Sequence, residues 1–161
     1  MKVEDAQKIL EIYKSKDYSD IHTHFDLNWK RNIWVPIYNL SEFNFVKNLI
    51  NEDLQKVNPN YFVSEVITLL EYNEGDFFGV HQDGTSYQSE KDVSILSGGY
   101  LLNDSYEGGD FIIKNKKINV GIGEMFTFSR NAMHEVTEVT KGVRYSIHFV
   151  VNKPKNKKSI L

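Results

Sequence analysis

From Tyr61 to Val151 the chain is written as short runs of β-forming residues, each closed by a turn signal, and no other feature limits its possible folds as much. Residues 63–72, 77–81, 93–103, 111–114, 117–120, 124–128, 134–139 and 143–151 read as strands. The breaks between them carry their own signals. Residues 84–92 are polar and read as a loop, residues 104–109 as a turn, Asn115-Lys116 as the tip of a hairpin, and Gly121-Ile122-Gly123 as another turn. Gly98-Gly99 falls inside a strand, where glycine marks a bulge or the close approach of another group. About eight short strands with regular turns predict a barrel or sandwich.

The first sixty residues follow a different rule. Val3, Ala6, Ile9, Leu10 and Tyr13 recur at helical spacing, so residues 3–14 are expected as an amphipathic helix. Ser41 is placed to cap a second helix whose apolar face is Val46, Leu49, Ile50, Leu54 and Val57. Asn58-Pro59-Asn60 ends it, because proline disfavours helix at the residue before it. Residues 17–40 are mixed. His22 and His24 read as ordinary loop or strand residues; Lys30-Arg31, between Trp29 and Trp34, could touch a substrate but read first as a solvated edge. The expected organisation is one domain over residues 1–161: mostly helical support in 1–60, the β core in 61–151, and a basic tail in 152–161.

Composition excludes several classes. A chain with 40% hydrophobic and 25% charged residues is ordinary for a soluble globular domain. A net charge of -3 gives no electrostatic case for nucleic acid as a partner. Without cysteine there is no disulfide, thiolate metal site or Cys nucleophile. The opening MKVEDAQKIL has early acids and no long apolar run, so neither a signal peptide nor a membrane span is expected. The expected compartment is the cytoplasm.

Chemistry concentrates between Tyr72 and Arg144. His81 and Asp83 are two residues apart, so on an extended segment both point to one side and can reach one ion. His134 stands where a third ligand from another strand would. Two histidines and a carboxylate on one face of an octahedral metal leave three positions open, which suits Fe(II), a bidentate co-substrate and O2. His-x-Asp alone is a weak signal. It sharpens because Arg144 follows His134 inside an alternating strand, and a cation there can pair with the far carboxylate of a dicarboxylic co-substrate. On that last strand Arg144, Ser146 and His148 share one face, opposite Val143, Tyr145, Ile147 and Phe149, which predicts a polar pocket floor. His148 reads as a structural histidine, outside the metal set.

The segment resembles the iron(II)/2-oxoglutarate-dependent oxygenases, specifically the prolyl 4-hydroxylase-like group. The resemblance rests on Tyr72 ahead of His81-Gln82-Asp83, on Leu102-Asn103 and Glu107-Gly108-Gly109, on Phe128-Ser129 before His134, and on Gly142 to Ser146. It covers residues 62–151 and implies a double-stranded β-helix, a distorted jelly roll, with the two helices packed outside the sheet. It implies Fe(II) on His81, Asp83 and His134, and 2-oxoglutarate held by Arg144 with Ser146 and the Tyr72 phenol. O2 is the co-substrate, and ascorbate is an optional reductant. Decarboxylation of 2-oxoglutarate to succinate and CO2 then accompanies hydroxylation of the substrate. Leu101 departs from the pattern, because many relatives carry a Tyr there whose hydroxyl helps hold the distal carboxylate. Ser146, Tyr72 or Thr127 must cover that contact.

For the substrate, the resemblance points to a prolyl residue in a peptide or protein. The loop after Asp83 supports this, since Thr85, Ser86, Tyr87 and Gln88 suit an extended peptide. A free amino acid or other small molecule is the alternative, and a non-catalytic metal-dependent binding module is the alternative of another class.

Overall fold

The computed structural model describes residues 1–84 and 91–155. Helix α1 (Val3–Ser15) buries Ala6 and Ile9, and the Asp5 carboxylate accepts the Lys2 backbone N–H at its start. Helix α2 (Asn44–Val57) buries Val46, Ile50 and Leu54, one stripe at a spacing of four residues, and stops at Asn58, which is extended ahead of Pro59. Ser41 does not cap it. A 3-10 turn (Ser41–Phe43) precedes the helix, Phe43 occupies the N-cap, and the Ser41 hydroxyl turns to Glu42 instead.

Between the helices lies a hairpin, β1 (Thr23–Leu27) and β2 (Lys30–Pro36). After α2 come β3 (Phe62–Tyr72), β4 (Phe77–His81), β5 (Asp92–Leu101), β6 (Tyr106–Gly108), β7 (Phe111–Ile113), β8 (Lys116–Lys117), β9 (Met125–Ser129), β10 (His134–Val136), β11 (Val139–Gly142) and β12 (Arg144–Pro154). The main sheet runs β8-β7-β10-β4-β2-β3-β12-β5-β9, with β1 attached to β2, and β6 pairs with β11 in a second small sheet. Adjacent strands are antiparallel, and the sheet curls into a double-stranded β-helix.

Each long strand serves two faces, as its alternation requires. Val35 on β2, Ile67 and Leu69 on β3, Tyr100 on β5, and Ile147, Phe149 and Val151 on β12 pack with Ala6, Ile9, Val46, Ile50 and Leu54 of the helices into the main core. Two hydroxyls tie the helices on: Tyr13 donates to Glu71 at 2.6 Å and Tyr100 to Asp53 at 2.7 Å. Leu70, Tyr72, Trp34, Arg144, Ser146 and His148 lie among the residues lining a cavity of about 340 Å³ inside the curl.

Several local expectations change. Gly98-Gly99 is a close approach rather than a bulge: a Cβ on Gly98 would stand 2.6 Å from the Phe149 ring, and one on Gly99 the same distance from Phe126. The hairpin after β7 turns one residue early, on Lys114 and Asn115, both with positive φ. Part of the expected turn at 104–109 is β6, a strand formed by pairing with a distant partner. Gly108 and Gly109 still have the positive φ of a turn. Asn152 to Pro154, expected in a tail, continue β12 against β5. Thr85, Ser86, Tyr87 and Gln88, and the tail lysines Lys157 and Lys158, lie outside the described residues. No helix among the described residues is long and apolar enough to cross a membrane.

Candidate metal centre

Strand pairing brings His81 and His134 together. They are direct cross-strand partners in the β4–β10 pair, with an irregularity just beyond His134, and their ring centroids are 4.2 Å apart. Asp83 follows β4 by two residues. Its backbone is held to the turn before β10: the Asp83 N–H donates to the Arg130 carbonyl at 3.1 Å, and Arg130 Nη2 donates to the Asp83 carbonyl at 3.1 Å. Asp83 Oδ1 then stands 3.4 Å from His81 Nε2 and 3.2 Å from His134 Nε2. One ligand atom from each of the three residues lies within 4.8 Å of the others, as a shared ion requires.

The backbone fixes the tautomer of both rings. His81 Nδ1 is 2.7 Å from the Gly79 carbonyl and His134 Nδ1 is 2.9 Å from the Ala132 carbonyl. A carbonyl only accepts, so each Nδ1 carries the proton and each Nε2 is free to ligate. Phe78 stacks on His81 with ring centroids 3.6 Å apart and fixes its plane. Burial alone would raise the Asp83 carboxyl; contacts from His134, His148 and His81 overcome it and hold the group well below the usual carboxylate range. For His134 burial works downward, and the Asp83 carboxylate and the Ala132 carbonyl outweigh it and raise the imidazole above its ordinary value.

Arg144 opens the other end of the cavity. It is only 4% exposed, Nη1 donates to Ser146 Oγ at 2.9 Å, and among the described residues Nε has no partner. Its guanidinium carbon lies 5.4 Å from the centre of the Tyr72 ring, its direct cross-strand partner. Among the described residues no carboxylate pairs with it. A buried cation without a counter-charge is costly and marks a place for an anion. Tyr72 is fully buried, and among the described residues its hydroxyl also has no hydrogen-bond partner. Burial pushes the phenol up to about 12, against the pull of the Arg144 guanidinium.

The six residues singled out from the sequence, His81, Asp83, His134, Arg144, Tyr72 and Ser146, all line this one cavity. Thr127 does not; it is exposed, so it cannot replace the donor absent at Leu101. Leu101 is the cross-strand partner of Ser146 and lines a second cavity behind Arg144. Three neighbours were missed or undervalued. His148 stays outside the metal group but is closer to it than the sequence suggested, its Nε2 3.3 Å from Asp83 Oδ2, the oxygen turned away from the other two imidazoles. Its place on the polar face with Arg144 and Ser146 was the available signal. Arg130 acts on the Asp83 backbone, which side-chain patterning does not report. Lys30 lines the cavity instead of a solvated edge.

Two imidazoles and a carboxylate converge in a rolled antiparallel sheet, with a buried cation lining the same cavity, and this donor set is able to hold a metal ion. The chain belongs to the 2OG-Fe(II) oxygenase superfamily, whose family model matches residues 67–152, more than half of it. That family uses Fe(II), 2-oxoglutarate and O2, and this donor set fits such a metal. A PKHD-type hydroxylase of Pseudomonas putida (strain W619) is 32% identical over 88 residues, 48% of this chain and 39% of that protein. One from Idiomarina loihiensis is 28% identical over 86 residues, again 39% of its length. The matched stretch thus spans about two fifths of these curated relatives. Among solved structures, a Pseudomonas putida prolyl-4-hydroxylase superposes with a TM-score of 0.66 at 13% identity, covering 98% of this chain and 89% of that one. HygX from Streptomyces hygroscopicus, solved with nickel and 2-oxoglutarate, gives a TM-score of 0.68 at 11% identity over 97% and 80% of the two chains. These likenesses bear out the double-stranded β-helix and the resemblance to the prolyl 4-hydroxylase-like group.

Proposed function

We propose that this protein is an Fe(II)- and 2-oxoglutarate-dependent dioxygenase that hydroxylates prolyl residues in a peptide or protein. In this reading His81, Asp83 and His134 hold the iron, and Arg144, aided by Ser146 and Tyr72, holds the distal carboxylate of 2-oxoglutarate. Bound iron with its co-substrate supplies the oxidising power for the hydroxylation. The chain's own residues do the rest. Gly79 and Ala132 carbonyls aim the imidazoles, His148 and Arg130 steady Asp83, and Phe78, Phe111, Phe126 and Phe128 keep the cavity dry. The observation that carries the reading is the buried Arg144, which has no carboxylate partner among the described residues and lines the same cavity as the triad. The prolyl substrate is supported by the names of the relatives, PKHD-type hydroxylases and prolyl hydroxylases. The cytoplasm is the setting of this reading, with ascorbate as a reductant that keeps the iron ferrous.

The test is succinate release and product mass with Fe(II), ascorbate and 2-oxoglutarate. Prolyl peptides, the same peptides with Ala for Pro, and free proline are compared. Turnover confined to the prolyl peptides is expected. Equal turnover of the Ala peptides, or hydroxylation of free proline alone, would overturn the peptidyl-proline assignment and leave the iron and 2-oxoglutarate assignments standing.

A further inference from the structure

Among the described residues Lys30 forms no ion pair, although its neighbour does. Arg31 points to the other side of β2 and pairs with Asp76, Nε to Oδ1 at 3.1 Å. Lys30 points into the metal cavity, half-buried, and among the described residues no carboxylate pairs with it. Its ammonium lies over two aromatic rings, 3.7 Å from the centre of Phe25 and 4.3 Å from the centre of Phe78. Phe78 is the ring stacked on His81. Lys30 is therefore one ring away from His81, and it lines the same cavity as Phe25, Trp34 and Val66. Burial pulls its ammonium below the ordinary value and the Asp83 carboxylate pulls it back up.

Charge balance gives this placement a meaning. In the proposed loaded site, the ferrous ion, the Asp83 carboxylate, the Arg144 cation and a doubly anionic 2-oxoglutarate cancel. Lys30 is the charge that remains among the described residues lining the cavity. Among the described residues its ammonium donates to no oxygen acceptor, and the two ring faces leave it able to take one. We propose that Lys30 is a specificity-determining residue that receives a carboxylate of the primary substrate, so that the substrate is an anion whose carboxylate lies close to the carbon that is hydroxylated. The proposal rests on the oxygenase reading above. An acidic side chain flanking a proline and the carboxylate of a free amino acid offer the same chemistry.

Two matched pairs of probes separate those sources: prolyl peptides with Glu or Gln beside the proline, and free L-proline against L-prolinamide. Trp29 and Trp34 are the two tryptophans of the chain, both in this hairpin, so their fluorescence reports binding here without turnover. Titrations use protein loaded with Ni(II) and 2-oxoglutarate; hydroxylation with Fe(II) is read in parallel by mass. In one of the pairs the acid is expected to bind on the order of tenfold tighter than its neutral partner, as a charge-assisted hydrogen bond allows. Lys30→Arg should keep that preference, Lys30→Gln should lose it, and Lys30→Glu should reverse it. The pair that shows the effect identifies the source of the carboxylate. No preference in either pair, or a preference that survives in Lys30→Gln, would overturn the proposal. Affinity for 2-oxoglutarate is measured on the same samples, and its absence in the wild-type protein would fail the oxygenase reading instead.

Discussion

At the scale of single residues, the site is arranged so that three weak local signals converge. Replacing His81, Asp83 or His134 by Ala removes one of three ligands and should abolish stoichiometric metal binding, read by metal analysis. The far-ultraviolet circular dichroism should stay that of the wild type, because none of the three belongs to either apolar core. Protons compete with metal at His134. Its imidazole is raised above the ordinary 6.5, so the protonated form persists to higher pH than in a free histidine. Metal affinity should therefore begin to fall, on lowering the pH, at a value above 6.5, and a titration of Mn(II) across pH 6 to 8 reads this. A decline that begins only below 6.5 would contradict the His134–Asp83 contact. His81, Asp83, His134 and Arg144 were legible because their types and spacing have few other uses together. Lys30 was not, since between two tryptophans a lysine looks the same whether its strand edges the fold or lines its cavity.

At the scale of elements, strand existence was written locally and strand partnership was not. The alternation of β12 predicted both of its faces, and Asn58-Pro59 marked the end of α2. The hairpin of β1 and β2 lacked a clean alternation, because β2 carries Asn32 and Trp34 toward the cavity and only Ile33 and Val35 toward the helices. Part of the segment before Gly108-Gly109 looked like a turn because β6 gains its ladder from β11, more than thirty residues later. The Gly98-Gly99 step is the element-scale feature most open to test. Gly98→Ala forces a methyl against the Phe149 ring, and overpacking of this kind costs about 1–3 kcal/mol. Urea unfolding should show that loss as a lower midpoint with an unchanged slope. Trimming the ring with Phe149→Leu should recover part of it, so the double variant is more stable than the two single losses added together.

At the scale of the whole molecule, one curled sheet separates two jobs. Its outer face binds α1 and α2 and supplies most of the apolar core. Its inner face carries a cation without a counter-charge and a phenol without a hydrogen-bond partner among the described residues, and a cluster of imidazoles around one carboxylate. Such a surface is unfavourable in the empty protein and becomes favourable when a metal and a dianion fill it. On the proposed function, the triad and Arg144 act as one binding unit. Truncating one partner of a buried charge pair costs about 2–5 kcal/mol, which removes most of the affinity. The most direct measurement is an anaerobic calorimetric titration of 2-oxoglutarate into Fe(II)-loaded protein, metal-free protein and the Fe(II)-loaded Arg144→Ala variant. One 2-oxoglutarate per chain is predicted for the loaded wild type, with binding lost or weakened at least tenfold in the other two. Equal binding in all three, or none in the loaded wild type, would contradict it.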